Sequence, residues 1–246
     1  KWAGWFDTDG SFTTFWIKKS EKSKSGWDKK ARLNLKDRQP VELFSKIFET
    51  SLRYTTCKTI TPLFTPKTGE PYRREYIANI YAAQLKGEKV RWFTKNVFPY
   101  LIKQEKKDYA ATLLGYRPES KNFEDWTADE ITHYLATAVD GDGHIHVRSG
   151  KKTKSLQMEI ASSDVQYLSD IKYLAEDKLG LIFALRERST YETQKEIKTG
   201  YRLNLYCSQK NPDNLPFFQN LAKDNVMTLD RKKQKIQEFM NYEKKF

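Results

Sequence analysis

The chain has 246 residues, and its 44 lysine and arginine residues against 32 aspartate and glutamate residues give a net charge of +12, an isoelectric point near 9.4 and a mean hydropathy of −0.79. The length allows a sizeable core in one domain or two, and no apolar run is long enough to span a bilayer, which excludes a membrane protein. The charge indicates a polyanionic partner, since such an isoelectric point is typical of nucleic-acid-binding proteins, although a basic soluble protein without such a partner would share it.

The two cysteines, Cys57 and Cys207, lie far apart without CxxC spacing. They support neither a disulfide framework nor a zinc ribbon, and we expect an intracellular protein. An organelle (mitochondrion or chloroplast) and the cytoplasm of a prokaryote or phage-infected cell are equally compatible with the sequence. No secretory signal opens the chain, although a targeting peptide could have preceded Lys1.

The first part of the chain opens on WAGWFDTDG (residues 2–10), a short apolar helix that ends in two aspartates and a glycine. Aromatic and β-branched content predicts a strand over 11–19, and alternation predicts a return strand over 31–36. Helical apolar spacing predicts a helix over 41–52. A second hairpin (56–64 and 72–85) and two further helices complete this part.

The second part repeats this order after a polar, proline-containing segment, RPESKNFED (117–125). A second apolar helix ends in DGDG at 140–143 and runs into strands over 144–148 and 155–161. A helix follows over 162–180, then a strongly alternating hairpin within 180–207, and then helices over 212–224 and 229–246. We therefore predict an α+β fold made of two αββαββα halves, residues 1–116 and 127–246, with a linker at 117–126.

The two DxDG segments predict a shared acidic site. Small residues in both helices allow close helix packing, and Gly10 and Gly143 allow the chain to leave each helix. Side-by-side packing would place Asp9 beside Asp142, where two carboxylates repel unless a cation lies between them. Oxygen ligands of this kind suit magnesium or calcium. The alternative is that each aspartate only forms a turn with its glycine, and Asp7 and Asp140 are expected to make structural hydrogen bonds.

Each predicted sheet has an apolar face for the helices and a basic, amide-rich face. Such an outer face is often merely solvated, but these side chains are those that read base edges and bind phosphates, which favours contact with DNA. The residues predicted to contact DNA are Lys30, Arg32, Asn34, Lys36, Arg38, Lys58, Arg73, His144, His146, Arg148, Lys152, Lys154, Gln157, Arg186, Arg188, Thr190, Arg202 and Asn204.

The paired motifs resemble those of the LAGLIDADG homing endonucleases, in the single-chain form that carries two motifs. The resemblance implies two four-stranded antiparallel saddle-shaped sheets joined by a central two-helix seam, and a monomer. Trp2, Trp5 and Phe6 are bulkier than the family pattern, and Thr137 replaces the usual glycine at the helix crossing. We therefore expect an asymmetric seam in which Gly4 lies opposite Thr137.

The resemblance further implies metal binding by Asp9 and Asp142, with Mg²⁺ as the expected ion and Ca²⁺ or Mn²⁺ as substitutes. It implies cleavage of both strands of a long double-stranded DNA target, leaving short 3′ overhangs. A water-ordering polar residue is expected at Asp37 and at Ser162, unless these residues simply begin the next helix. A catalytic lysine is expected in each half, at Lys103 and Lys232, with Lys106 and Lys233 as neighbours; phosphate anchoring or solvation are the alternatives.

His144 and His146 form an HxH pair, which could suggest a metal site. Because both precede Arg148 on one face of a strand, a base or phosphate contact is the favoured interpretation. Three rival functions share this pattern: a maturase that binds its host intron RNA, a DNA-binding regulator on an inactive scaffold, and an intein-embedded nuclease. Retention of both aspartates favours cleavage, and no splicing-type ends are visible.

Overall fold

A computed structural model describes residues 1–18, 25–64, 71–149, 154–192, 197–208 and 211–243. Within these ranges the side chains of residues 59–64, 71–76, 189–192, 197–198 and 242–243 lie outside the description. Among the described residues, no helix combines the length and apolarity needed to cross a membrane.

The first half is built around one antiparallel sheet. Its elements are α1 (Trp2–Thr8), β1 (Gly10–Ile17), β2 (Gly26–Leu35), α2 (Arg38–Ile47), β3 (Leu52–Phe64), β4 (Pro71–Leu85), α3 (Gly87–Val97), a 3₁₀ turn (Phe98–Tyr100) and α4 (Gln104–Leu114). The strand order is β1-β2-β4-β3.

The second half repeats this arrangement after a 3₁₀ turn (Phe123–Asp125). Its elements are α5 (Ala128–Asp142), β5 (Gly143–Ser149), β6 (Lys154–Ser162), α6 (Val165–Leu179), β7 (Ala184–Glu192), β8 (Ile197–Ser208), α7 (Leu215–Leu221) and α8 (Asp230–Glu243). The strand order β5-β6-β8-β7 matches that of the first sheet. The predicted α+β fold of two four-stranded sheets is confirmed.

Each sheet buries one face against helices, as strand alternation dictates. Ala31, Leu33 and Leu35 of β2 are buried, and so are Leu156, Met158 and Ile160 of β6. The opposite faces of β2 and β6 carry the polar residues between these positions. The sequence alternation therefore correctly separated the core face of each central strand from its outer face.

The bounds of α2 and the start of β3 differ from the sequence prediction. Helix α2 begins at Arg38 and not at residue 41, because Pro40 is compatible with the first turn of a helix and Pro40 is buried there. It ends at Ile47, and Glu49 beyond it has a positive φ of 48°. Strand β3 consequently begins at Leu52, four residues earlier than predicted.

Helices α1 and α5 form the central seam. The start of α5 is fixed by a capping box, in which the Glu130 amide donates to Thr127 Oγ1 and the Thr127 amide donates to the Glu130 carboxylate. This interaction satisfies two amides that a helix N-terminus leaves unpaired. Helix α5 then runs buried from Tyr134 to Asp140 against α1.

Close approach at the seam depends on two complementary pairs. Gly4 lies opposite Thr137, as predicted: a Cβ on Gly4 would lie 2.6 Å from the Tyr134 carbonyl oxygen and closer still to Thr137 Oγ1. Gly141 lies opposite Thr8, where a Cβ would lie 2.7 Å from the Thr8 Cβ. Thr137 does not widen the seam, because Gly4 leaves room for it and its hydroxyl donates to the Lys1 carbonyl at 2.8 Å.

The bulky aromatic residues of α1 pack away from α5. Trp2 packs against Phe44 with ring centroids 5.2 Å apart, and Phe6 packs against Phe93 at 4.8 Å. Trp126 is buried, as expected for a packing residue. Trp16 and Trp92 are 53% and 62% exposed, and their rings contact Trp27 and Phe48 respectively.

Candidate functional site

The two final motif aspartates meet at one end of the seam. Asp9 caps α1, and Asp142 is the last residue of α5. A Cβ on Gly141, the neighbour of Asp142, would lie 2.8 Å from Asp9 Oδ2. Burial and the negative charge of Asp142 raise the pKa of Asp9 to about 6. The structure thus places the two carboxyl groups close enough to repel, as the motifs predict.

A magnesium ion fits this pair of donors. The described residues contain no group of three or more His, Cys, Asp or Glu side chains arranged to hold a metal. Magnesium keeps several waters and uses one or two carboxylates together with substrate phosphates, so a two-carboxylate site suits it better than calcium, which takes six to eight oxygens. Asp9 and Asp142 are the residues that would hold the ion.

The earlier aspartate of each motif is structural, as predicted. Asp7 Oδ2 accepts hydrogen bonds from the Ile102 amide at 2.7 Å and from the Tyr134 hydroxyl at 2.5 Å. Asp140 Oδ2 accepts from the Thr228 amide at 2.7 Å. Burial raises the pKa of Asp7 and of Asp140 to about 6. These carboxylates attach the segments before α4 and α8 to the motif helices.

Two equivalent lysines hold the motif ends. Lys106 Nζ donates to the Gly10 carbonyl at 2.6 Å, and Lys232 Nζ donates to the Gly143 carbonyl at 2.9 Å. Lys232 also donates to the Val139 and Asp140 carbonyls and is only 2% exposed. The structure therefore corrects the prediction of a phosphate-facing Lys232, because its ammonium caps the end of α5. Its neighbour Lys233 pairs with Asp224 and Asp230.

Lys103 has a different environment. Its Nζ lies 3.9 Å from Asp142 Oδ2 and 4.5 Å from the centroid of the Tyr167 ring. The side chain is 14% exposed, so it reaches the acidic pair from a sheltered position. Of the four lysines considered from the sequence, Lys103 is the one with an ion pair to a motif carboxylate in the described structure.

Asp37 and Ser162 have local partners. Arg231 contacts the Asp37 carboxylate through two nitrogens, at 3.1 Å and 2.8 Å. Asp37 also occupies the N-cap position of α2. Ser162 Oγ accepts from the Asp164 amide at 3.1 Å, next to the start of α6. Asp37 and Ser162 thus lie at or just before the start of the next helix, and a water-ordering role for either stays a prediction.

The outer face of the second sheet carries most of its predicted contact residues. His144 pairs across the strands with Glu159, and His146 with Gln157. Both histidines are exposed, their ring centroids are 5.6 Å apart, and the described residues give them no metal cluster. Burial and the nearby lysine and histidine lower the pKa of His144. Arg148 is exposed further along β5.

Buried polar side chains lie at the centre of this face. Gln157 Nε2 donates to Asn204 Oδ1 at 2.7 Å, and both residues are 1% exposed. Arg202 lies opposite Arg186 and pairs with Glu159 at 3.5 Å. The atoms Gln157 Oε1, Asn204 Nδ2 and Arg202 Nε have no hydrogen-bond partner, which is uncommon for buried polar atoms.

The first sheet also places polar residues outward. Lys30 pairs with Asp28 at 2.6 Å and lies 4.3 Å from the Phe15 ring, and Arg32 is exposed. Arg32 lies opposite Gln84, and Asn34 opposite Ala82, which in turn lies opposite Arg53. Arg53 and Gln84 are outer-face residues that the sequence prediction missed; the alternation of 53, 55 and 57 was the available signal.

Several predicted contact residues lie elsewhere. Arg38 belongs to α2 and pairs with Glu42. Lys58 and Lys154 occupy strand positions that alternate with the outer-face residues Arg53 and Gln157, so they lie on the other side of their strands, and their contact with DNA stays a prediction.

The remaining predicted contacts are less defined. A register shift between Glu187 and Ser189 places Arg188 in a bulge and Thr190 opposite Thr199, out of phase with Arg186. Lys36 is exposed just after β2. The side chains of Arg73 and Thr190, and the whole of Lys152, lie outside the described residues.

Comparisons with known proteins agree with this architecture. Residues 129–214 match the family model described as a LAGLIDADG-like domain. No curated protein matches the sequence. The crystal structure of the LAGLIDADG homing endonuclease I-GzeII in complex with its DNA target is similar over 97% of this chain and 87% of that chain, with a TM-score of 0.56 and 14% identity. The structure of the homing endonuclease I-WcaI bound to its DNA recognition sequence is similar over 96% of this chain and 83% of that chain, with a TM-score of 0.44 and 14% identity.

The fold and the site thus define a two-motif α+β protein with paired carboxylates at a helix seam. This chain has the fold of the LAGLIDADG homing endonucleases, and its second half carries the sequence pattern of the LAGLIDADG-like domain. The resemblance to that family, in its single-chain form, is confirmed.

Proposed function

We propose that this protein is a site-specific endonuclease that binds a long double-stranded DNA target and hydrolyses both strands with Mg²⁺. The observation that carries the proposal is the convergence of Asp9 and Asp142 at the end of the seam, where burial and the negative charge of Asp142 raise the pKa of Asp9 to about 6. At the same site the Lys103 ammonium lies 3.9 Å from Asp142 Oδ2, within ion-pair distance. Within the part of the chain that the structure describes, neither carboxylate accepts a backbone hydrogen bond of the kind that Asp7 and Asp140 accept.

The proposed reaction joins a water oxygen to phosphorus and breaks the bond between phosphorus and the leaving sugar oxygen, which takes up a proton. A bound divalent ion supplies Lewis-acid stabilisation of the phosphate charge and a more acidic water. The ends of α1 and α5 position the carboxylates of Asp9 and Asp142. Lys106 and Lys232 fix those ends by bonding the carbonyls of Gly10 and Gly143.

Target binding is proposed for the two outer sheet faces. Both faces carry arginine side chains, which bind phosphates and base edges; the first face adds amide side chains and the second adds histidines. In the first sheet the surface comprises Arg32, Asn34, Arg53 and Gln84; in the second it comprises His144, His146, Arg186 and Arg188. The net charge of +12 supports the electrostatic part of such binding. We propose that a single chain suffices, because the seam already pairs the two halves.

The test is a cleavage selection on a randomised double-stranded DNA library with Mg²⁺, followed by sequencing of the cut ends. We expect one long asymmetric site and 3′ overhangs at both ends of the break. Binding to the selected duplex is then compared with binding to RNA of the same sequence. Selective RNA binding without any DNA cleavage would reject the endonuclease proposal and favour a maturase.

A further inference from the structure

Two arginines lie side by side on the outer face of the second sheet. Arg186 of β7 and Arg202 of β8 are directly opposite each other across the two strands. Like charges in this arrangement destabilise a sheet, so the pair needs a compensating anion. The two arginines lie at the end of the sheet where β5 leaves the second motif, because Gly143 pairs with Ile160 and Arg202 pairs with the next residue, Ala161.

Glu159 is the compensating anion for Arg202. One of its carboxylate oxygens lies 3.5 Å from Arg202 Nη1, and its side chain is only 9% exposed. In the described strands β5, β6 and β8, Glu159 is the one acidic residue. A carboxylate repels DNA phosphates, and this carboxylate is buried too deeply to accept a hydrogen bond from a base. Its position therefore suits it to hold Arg202 and not to contact the target directly.

Unpaired polar atoms surround this ion pair. Arg202 Nε, Asn204 Nδ2 and Gln157 Oε1 have no hydrogen-bond partner among the described residues. Asn204 lies opposite Glu159 across the strands, and its amide is joined to the Gln157 amide by one hydrogen bond of 2.7 Å. Asn204 and Gln157 are each 1% exposed. Buried polar atoms are normally paired, so this part of the face is completed by a partner that supplies hydrogen bonds.

Resting on the proposed DNA binding, we infer that Glu159 is a positioning residue that orients Arg202 to read one guanine in the part of the target nearest the cut. A guanidinium group donates two hydrogen bonds to O6 and N7 of guanine in the major groove. This readout requires the planar group to be held in one orientation, whereas a phosphate contact can be made by a simple positive charge. Glu159 contacts Nη1 and leaves other N–H groups of the 33% exposed side chain for the base.

Loss of the Glu159 charge should have two opposite effects on DNA binding. Removing a carboxylate from the DNA-facing side strengthens binding to every sequence, because less negative charge opposes the phosphates. Loosening Arg202 weakens the preference for guanine at one base pair only. A purely structural role for Glu159 would change the stability of the protein and leave that preference intact, so the two roles are separable.

The test begins with a duplex selected for binding to the full chain, without metal, from a randomised library. Each guanine of that duplex is replaced singly by adenine or by 7-deazaguanine, which lacks the N7 acceptor, and affinity is measured by fluorescence anisotropy. Glu159→Gln removes the charge, and Glu159→Asp keeps it but shortens its reach. Arg202→Lys keeps the positive charge without the planar fork.

Glu187→Gln is the matched control for the charge change. Glu187 is exposed on the neighbouring strand β7. It follows Arg186 directly, so its side chain points to the other side of the strand. Thermal unfolding is measured for every variant, so that a loss of guanine preference is interpreted only in folded protein.

We expect adenine at one guanine position of the second half-site to cost the unaltered protein about 5- to 150-fold in affinity, and 7-deazaguanine there to weaken binding as well. Arg202→Lys should remove most of this preference. Glu159→Gln and Glu159→Asp should reduce it several-fold at the same guanine, and Glu159→Gln should bind unrelated DNA at least as tightly as the unaltered protein does. Glu187→Gln should retain the preference.

Two results would overturn the inference while leaving the proposed function intact. The first is that no guanine preference is lost in Arg202→Lys, and the second is that both folded Glu159 variants keep the preference unchanged. Selection of no preferred duplex, or binding without cleavage once Mg²⁺ is added, would instead overturn the proposed function.

Discussion

Replacing Gly4 by alanine should weaken the central seam. The added Cβ would lie 2.6 Å from the Tyr134 carbonyl oxygen and closer to Thr137 Oγ1. Ordinary contact needs almost 1 Å more at the carbonyl, and the backbone of α5 cannot yield as a side chain can. Overpacking of this kind costs about 1–3 kcal/mol. Displacing Thr137 from the Lys1 carbonyl costs about 1 kcal/mol more.

The higher helix propensity of alanine returns about 1 kcal/mol, so the free energy of unfolding should fall by about 1–3 kcal/mol. Urea denaturation followed by circular dichroism measures this change. Gly26→Ala is the matched control, because no atom lies within 4 Å of its added Cβ. Adding Thr137→Ala to Gly4→Ala should recover about 1 kcal/mol, because the side-chain clash disappears while the carbonyl clash remains. A Gly4→Ala protein as stable as the Gly26→Ala protein would refute the close crossing.

Three further predictions follow from the site and the outer face. Lys232→Met should lower the free energy of unfolding by about 2–4 kcal/mol, because three buried carbonyls lose their donor. Lys106→Met should lower it less, because only one carbonyl loses its donor. Equal urea midpoints for the two variants would contradict this prediction. Burial raises the pKa of Asp140 from 3.8 to about 6, so its contribution to the free energy of unfolding is present below pH 4 and is lost as the pH rises through 6. Asp140→Asn should remove that loss. A difference in the free energy of unfolding between this variant and the unaltered protein that does not change with pH would contradict the prediction. Arg186→Gln with Arg188→Gln should weaken DNA binding and flatten the dependence of log K on log salt by about two phosphate contacts, measured by fluorescence anisotropy; an unchanged slope would remove both arginines from the interface.

The sequence predicts the repeated fold and the acidic pair because both depend on local, periodic signals. Strand alternation separates Leu33 from Arg32, and the two DxDG segments identify Asp9 and Asp142 without knowledge of the sheet. The glycine and threonine residues of the two motifs also predict the contact between Gly4 and Thr137, because equivalent residues of two symmetric helices meet at their crossing.

The rest of the site depends on contacts that the sequence does not encode locally. Lys232 binds backbone carbonyls of residues some 90 positions away, and carbonyls have no sequence signature. Arg53 was missed because β3 begins earlier than its sequence suggests. The turn between α2 and β3 uses Glu49, a non-glycine residue with positive φ, so no glycine marks the end of the helix. The bulge between Glu187 and Ser189 shifts the register of β7 against β8, and strand alternation read from the sequence assumes that no such shift occurs.

The central claim is that Asp9 and Asp142 together support DNA cleavage without being required for the fold or for target binding. The most direct measurement is cleavage of the selected duplex with Mg²⁺ by the Asp9→Asn and Asp142→Asn double variant, alongside binding to the same duplex and an Asp213→Asn control at an exposed site. We predict that the double variant binds the target with similar affinity and makes no double-strand break, while the control cleaves normally. Cleavage by the double variant at the rate of the unaltered protein would contradict the claim.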